Sequence, residues 1–381
     1  RVLILPPTTG MDELGRGQAM LLTSFVDEVI HSLARSRTFA VFGPHTARQL
    51  AVPAFPKGNP YGVDYLAALR VIGELGSGQT VLAVTLTRVA TQEVLMSEEM
   101  VFSPATLSFN HYAMALSVSA HISRHIGATE MQLYRRTGAA SAFVHYLLGN
   151  EYLSRFILQN VRAARNHYKQ ALKLAPHLSP ARSMLARALC LELLLQRHDK
   201  ELIDTSLRLA RAALAEDPLD PMAHREVGHA LLYIDQLDAG VEAFEDGVKL
   251  GPHHADLLFH YGDGLAHLGR LHEARAAIDK ALSLNPLAPD LYHWVSATTD
   301  YFLGKYASAS ASLDRLKEKE PAARVIALVE AMNGNLAKAH RYRDIFMQSH
   351  PEFRLAGYSI PQRRKEDREH FLEGMRRAGF V

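Results

Sequence analysis

Pro218, Pro252 and Pro286 stand 34 residues apart, and the positions before them repeat in step. Ala213, Gly247 and Ala281 lie five residues before each proline, and Ser206, Gly240 and Ala274 lie twelve before. Gly228 and Gly262 lie twenty-four before the second and third prolines. A period of that length with small residues at fixed offsets describes one helical hairpin per repeat, which cannot bury its apolar face alone. Such hairpins stack into a superhelix, and its concave side is usually a binding surface. The period therefore points to recognition rather than catalysis.

Composition narrows the classes further. The chain of 381 residues is too long for one compact core, and a hydrophobic content of 48% excludes global disorder. With 42 basic and 40 acidic residues the net charge is +2, which leaves no electrostatic footprint for nucleic acid. A single cysteine, Cys190, permits no intrachain disulfide and fits a reducing, cytoplasmic setting. No apolar run reaches the roughly 18 residues that would span a bilayer, so no membrane segment is expected. No signal peptide is visible and the chain begins without Met, so it reads as a fragment or processed product lacking an amino-terminal portion.

Residues 1–128 do not follow the repeat. Val2–Leu5 is a short aliphatic run ended by Pro6-Pro7, hence a buried strand. Residues 17–35 place Met20, Leu21, Phe25, Val29, Ile30 and Leu33 on one helical face. Phe39–Phe42 reads as a second strand, followed by Thr46 as N-cap of a short helix reaching Leu50. Residues 51–62 carry three prolines and two glycines and read as a loop. Tyr65–Ile72, Thr80–Arg88 and Glu93–Phe102 follow at hairpin spacing, with Gly76 to Gly78 as turn residues; Leu82, Val84 and Leu86 alternate at the strand period of two. An amphipathic helix over 107–126 completes a small α/β domain of order β-α-β-α-β-β-β-α.

From about 138 to 351 the chain reads as about six helical hairpins, ending near Pro176, Pro218, Pro252, Pro286, Pro321 and residue 350, with the second longer than the standard. Residues 352–381 supply a last, charged helix expected to cap the array. The fold class is thus α+β: a small α/β amino-terminal domain followed by an all-α superhelix.

These offsets resemble the tetratricopeptide repeat (TPR). A second resemblance covers the whole chain. Arg1–Pro7 (RVLILPP), Tyr61–Leu66 (YGVDYL), Leu86–Glu99 (LTRVATQEVLMSEE) and Phe371–Gly379 (FLEGMRRAG) are similar to landmarks of a bacterial arrangement in which a small α/β domain precedes TPRs and both follow an effector. In bacterial transcriptional regulators of the SARP or winged-helix type the effector binds DNA; in another group it is a class III nucleotide cyclase. Pro7, where many relatives carry an aromatic residue, and the elongated second repeat depart from that pattern. The resemblance implies the regulatory region of a transcriptional regulator, with DNA contacted only through an effector domain absent from this chain.

No phosphate-cradling loop and no nucleophile elbow is present. Cys190 lies in an apolar helical stretch, as an inert buried thiol does. The crowd of His253, His254, Asp256, His260, Asp263, His267 and His272 offers a divalent-metal alternative, since Asp256, His260, Asp263 and His267 fall on one helical face. No tight ligand pair of the H-E-x-x-H type occurs, and the expectation is no metal and no cofactor.

In a TPR, positions 2, 5, 9, 12 and 13 of the first helix line the groove. Counting from Pro221, Ala255 and Asp290, the resemblance selects Arg225, His229, Tyr233, Phe259, Asp263, His267, Trp294 and Thr298, with Arg187, Tyr146 and Asn150 added from the first two repeats. Such an aromatic groove with a few charges suits a protein segment, a peptide or a small polar ligand, with arginine available for a carboxylate. The exposed repeat ends and strand edge also allow a homodimer. The sequence therefore points to a non-enzymatic, ligand- or partner-binding regulatory region of a transcriptional regulator, with the regulatory region of a class III nucleotide cyclase or a free-standing TPR protein-interaction scaffold as the alternatives.

Overall fold

The computed structural model describes residues 1–7, 16–50, 59–75, 79–196, 200–358 and 360–381. The chain divides into two compact units, Arg1–Leu147 and Leu148–Val381.

The first unit contains β1 (Val2–Leu5), α1 (Arg16–Arg35), α2 (Pro44–Leu50), β2 (Tyr65–Leu75), β3 (Gln79–Arg88), β4 (Glu93–Phe102) and α3 (Pro104–Thr137). The strands form one sheet in sequence order, β1 parallel to β2 and the others antiparallel. The alternation of β3 is realised in part: Leu82, Val84 and Leu86 are buried and Thr85 and Thr87 only partly so, but Ala83, expected on the outer face, is buried as well. Phe25, Val29 and Leu33 of α1 and Ile122 and Ile126 of α3 complete a single core over the sheet.

Three local expectations change. Phe39–Phe42 is not a strand of the ladder but an isolated parallel bridge, in which Val2 N–H donates to the Ala40 carbonyl (2.8 Å) and Phe42 N–H to the Val2 carbonyl (3.1 Å). Pro44, not a cap at Thr46, opens α2; the fixed φ of proline suits a first helical position, where its missing N–H costs nothing. The helix expected over 107–126 continues through both ends as α3. The turn expected at Gly76 to Gly78 and residues 51–58 of the expected loop lie outside the described residues.

The remaining helices are α4 (Ala142–Leu153), α5 (Leu158–Leu174), α6 (Ser179–Gln196), α7 (Lys200–Glu216), α8 (Pro221–Tyr233), α9 (Leu237–Leu250), α10 (Ala255–His267), α11 (Leu271–Leu284), α12 (Asp290–Phe302), α13 (Tyr306–Asp314), α14 (Ala323–Met332), α15 (Leu336–Ser349) and α16 (Lys365–Arg377). They form a TPR-like superhelix of stacked hairpins. The regular pairs α8/α9 and α10/α11 have helices of 13 and 14 residues, whereas α6 has 18 and α7 has 17, which is the elongation of the second repeat.

The small residues of the period sit where helices cross. A Cβ on Gly228 would lie 2.8 Å from the Gly240 carbonyl oxygen and from the Phe244 ring, and one on Gly262 would lie 2.7 Å from Ile278. Ser206, at the same offset as Gly240, is fully buried, and its hydroxyl donates to the Ala186 carbonyl (2.8 Å). Helix starts are set locally: Asp220 accepts from Met222 N–H at 2.9 Å and Pro221 opens α8. The charged last helix reaches beyond the final pair: Phe371, Met375 and Phe380 join Tyr301 of α12 and the buried residues of α14 in one cluster.

Candidate functional site

The first helices of successive hairpins present one side to the groove, and there they enclose a cavity of about 140 Å³. Seven residues selected by position meet in its wall: His229 and Tyr233 of α8, Phe259, Asp263 and His267 of α10, and Trp294 and Thr298 of α12. The spacing works because neighbouring turns of one helix face bring residues four apart side by side. Trp294 also faces Phe156, which precedes α5, with ring centroids 6.0 Å apart.

The other four selected residues lie elsewhere. Arg225 is 1% exposed; its guanidinium pairs with Glu226 and lies 3.3 Å from Asp256 Oδ2, which Arg187 also approaches at 3.7 Å. The Tyr292 hydroxyl donates to the other oxygen of Asp256. Two cations and two carboxylates thus neutralise one another between repeats, and the two guanidiniums hold the Asp256 carboxyl down to about 2 against its burial. The expectation that Arg225 would hold a ligand's carboxylate gives way to this buried cluster. Asn150 accepts from the Tyr168 hydroxyl at 2.8 Å, joining α4 to α5. Tyr146 belongs to the first unit, with its ring stacked 6.4 Å from Phe143.

Two imidazoles dominate the polar part of the wall. His229 and His260 are 4% and 2% exposed, with ring centroids 4.8 Å apart. Among the described residues neither Nδ1 atom has a hydrogen-bond partner. Burial, reinforced by the nearby Arg187 and Arg225, lowers the His229 pKa to about 3 and pushes His260 well below its ordinary value, so both rings are neutral at physiological pH. Asp263 shifts the opposite way: burial raises its carboxyl, and His267, whose Nε2 is 3.7 Å away, opposes that shift. Among the described residues no three His, Cys, Asp or Glu side chains are grouped to hold a metal ion.

The groove is also walled by the chain itself. Ile360, Pro361 and Gln362, ahead of α16, line the cavity. His267 Nδ1 donates to the Pro361 carbonyl (2.7 Å), and Arg363 N–H donates to the His267 carbonyl (2.8 Å). That carbonyl ends α10 and has no partner within the helix, so the segment satisfies an acceptor left open by the helix terminus. Arg363 pairs with Asp238, and the Tyr301 hydroxyl donates to the His370 carbonyl at 2.7 Å, fixing the segment at both sides.

Sequence reasoning missed this wall and also Arg324 and Phe371. For Arg324 a signal existed: counting from Ala323, it occupies position 2 of the sixth hairpin. Its guanidinium donates to the Tyr358 hydroxyl (2.5 Å) and lies 5.3, 5.7 and 5.9 Å from the centres of the Tyr358, Phe346 and Phe371 rings.

Comparison with known proteins agrees with the period. Residues 226–289 match the family model described as tetratricopeptide repeat. The matched TPR segment contains His229, Tyr233, Phe259, Asp263 and His267. No curated protein matches the chain. Among solved structures, a thermophilic TPR protein of Thermus thermophilus is 20% identical over 54% of this chain and all of its own, with a TM-score of 0.40. PilF of Pseudomonas aeruginosa is 17% identical over 56% of this chain and 93% of its own, with a TM-score of 0.37. A chain of the APC/C hetero-tetramer Cut9-Hcn1 is 15% identical over 70% of this chain and 48% of its own, with a TM-score of 0.48. Among the described residues no helix is long and apolar enough to cross a membrane.

Proposed function

We propose that residues 148–381 are the recognition module of a regulatory protein, holding a peptide, a protein segment or a small polar ligand in the groove. The observation that carries this reading is the cavity itself: residues from five hairpins and the 360–362 segment converge on it, with two buried imidazole nitrogens left without partners. Buried polar atoms without partners are uncommon in folded proteins, and at a cavity wall a ligand or a water molecule can supply the missing hydrogen bond. The short motifs at Arg1–Pro7, Tyr61–Leu66, Leu86–Glu99 and Phe371–Gly379 support placing the module in a bacterial transcriptional regulator. Occupancy of the groove would then bias the arrangement of the hairpins and act on an effector elsewhere in the protein. Such control requires unequal affinity for two states.

Thr298→Trp, which fills the cavity, tests the recognition reading. In a thermal-shift screen of peptides and small polar compounds, the full chain should be stabilised by ligands that leave the Thr298→Trp variant unmoved. If no compound stabilises the parent, or every hit stabilises both, the groove is not the binding site. DNA sequence adjoining the coding segment discriminates the regulator from a cyclase: a helix-turn-helix pattern supports the former and a cyclase domain overturns it.

A further inference from the structure

The groove cavity combines three features that together select a ligand. Its wall is largely aromatic and aliphatic, from Phe259, Leu291, Trp294, Phe302 and Phe371. Its polar atoms include hydrogen-bond acceptors: among the described residues the Asp263 carboxylate makes no hydrogen bond, and its ion-pair neighbour His267 Nε2 stands 3.7 Å away. The imidazoles of His229 and His260 stay neutral, so each keeps one ring nitrogen with a free lone pair, and the unpartnered Nδ1 atoms are suited to that role. Among the described residues the wall carries one guanidinium, Arg324, which donates to the Tyr358 hydroxyl and lies against three ring faces, while its buried Nε keeps one donor unsatisfied.

We propose that this cavity is a site for a small primary amine with an apolar body, its ammonium set against Asp263 and its body against Trp294 and Phe259. The inference rests on the groove being a recognition site and names what it recognises. A carboxyl inside an apolar wall is destabilised when ionised and alone, and an ammonium with N–H donors relieves that cost by supplying both charge and hydrogen bonds. The faces of Trp294 and Phe259 favour a cation as well. An anion of the same size would meet the Asp263 carboxylate instead. A cavity of about 140 Å³ matches the size of a compact ligand, and the 360–362 segment bounds it.

Trp294 is the only tryptophan in the chain and lines the cavity, so its emission reports occupancy directly. The full chain is titrated with 2-phenylethylamine, 2-phenylethanol and phenylacetate, which share a body and differ in the charge of the head. The expected result is a saturable change with the amine, affinity at least about tenfold weaker for the alcohol, and no binding of the anion at matched concentration. Asp263→Asn, nearly isosteric, should weaken the amine at least about tenfold while leaving helical circular dichroism unchanged. The three-probe comparison needs no variant and stands even if that one fails to fold. Equal binding of amine and alcohol, or tighter binding of phenylacetate, overturns the amine assignment and leaves the groove a recognition site. Silence with all three probes overturns the amine site, while the Thr298→Trp screen separately decides whether the groove binds anything.

Discussion

In the α/β unit, Val2, Leu3 and Ile4 of β1 share one continuous core with Phe25 of α1, Leu82 of β3 and Ile126 of α3. In the repeat unit the buried residues between α8 and α12 fall into small groups shared by neighbouring helices, such as Leu232, Leu237, Phe244 and Leu257, or Phe259, Ile278 and Tyr292. The first arrangement depends on contacts between distant parts of the chain, including the parallel pairing of Val2 with Tyr65. The second is close to a sum of nearest-neighbour interfaces. A lesion in the α/β unit should therefore be felt throughout that unit, and a lesion in a hairpin should stay local.

The largest expected effect tests that contrast. Phe25→Ala, at 1% exposure, removes a large side chain from the shared core and should destabilise the first unit by about 3–5 kcal/mol. Urea melts should show the loss of the α/β transition, with protection of α8–α11 amides against hydrogen exchange unchanged. Collapse of both units together would break the comparison.

Acid should act most strongly on the repeat unit. His229 and His260 have folded pKa values below their unfolded ones, so the unfolded chain takes up their protons first as pH falls. Their stabilising contribution is whole above the unfolded value near 6.5 and declines as pH drops from there toward 3 for His229. The slope approaches about 1.4 kcal/mol per pH unit for each such proton. Asp263, with a raised pKa, acts in the opposite direction and offsets part of it. Melts between pH 7.5 and 5 should show this loss, and His229→Leu should flatten the slope. A pH-independent melt would contradict the buried neutral rings.

Gly228→Val sharpens the locality claim. The new side chain meets the Gly240 backbone and the Phe244 ring, so overpacking of about 1–3 kcal/mol is expected. Faster amide exchange should be confined to α8–α11 and leave α14–α16 as before. The smallest effect belongs to Arg270→Ala: its pairs with Glu273 and Glu245 are solvent-exposed, and the melt should move by less than about 0.5 kcal/mol. A larger shift would mean that surface pairing contributes to the stacking.

Much of the site was legible because repeat geometry converts sequence position into spatial position. His229, Phe259, Asp263, Trp294 and Thr298 were selected by counting along helices, and they line one wall. Arg225 was selected by the same count yet turns inward, because Asp256 on the next hairpin and Glu226 beside it offer opposite charges in a buried place. Position in a repeat says which face a residue occupies. It does not say whether a neighbouring hairpin supplies a countercharge that draws the side chain away from the groove.

The sequence by itself determined the elements that depend on short-range order: the 34-residue hairpin period, the small residues at helix crossings, and the inward set of Leu82, Val84 and Leu86. Tertiary structure decided the rest. Phe39–Phe42 contributes a single bridge, Arg225 joins an inter-repeat charge cluster, and Pro361 closes the groove through His267, 94 residues earlier. These outcomes turn on which unpaired donor, acceptor or charge is nearest in space once the hairpins have stacked. No periodicity encodes that proximity, because it arises from the summed geometry of every hairpin in between.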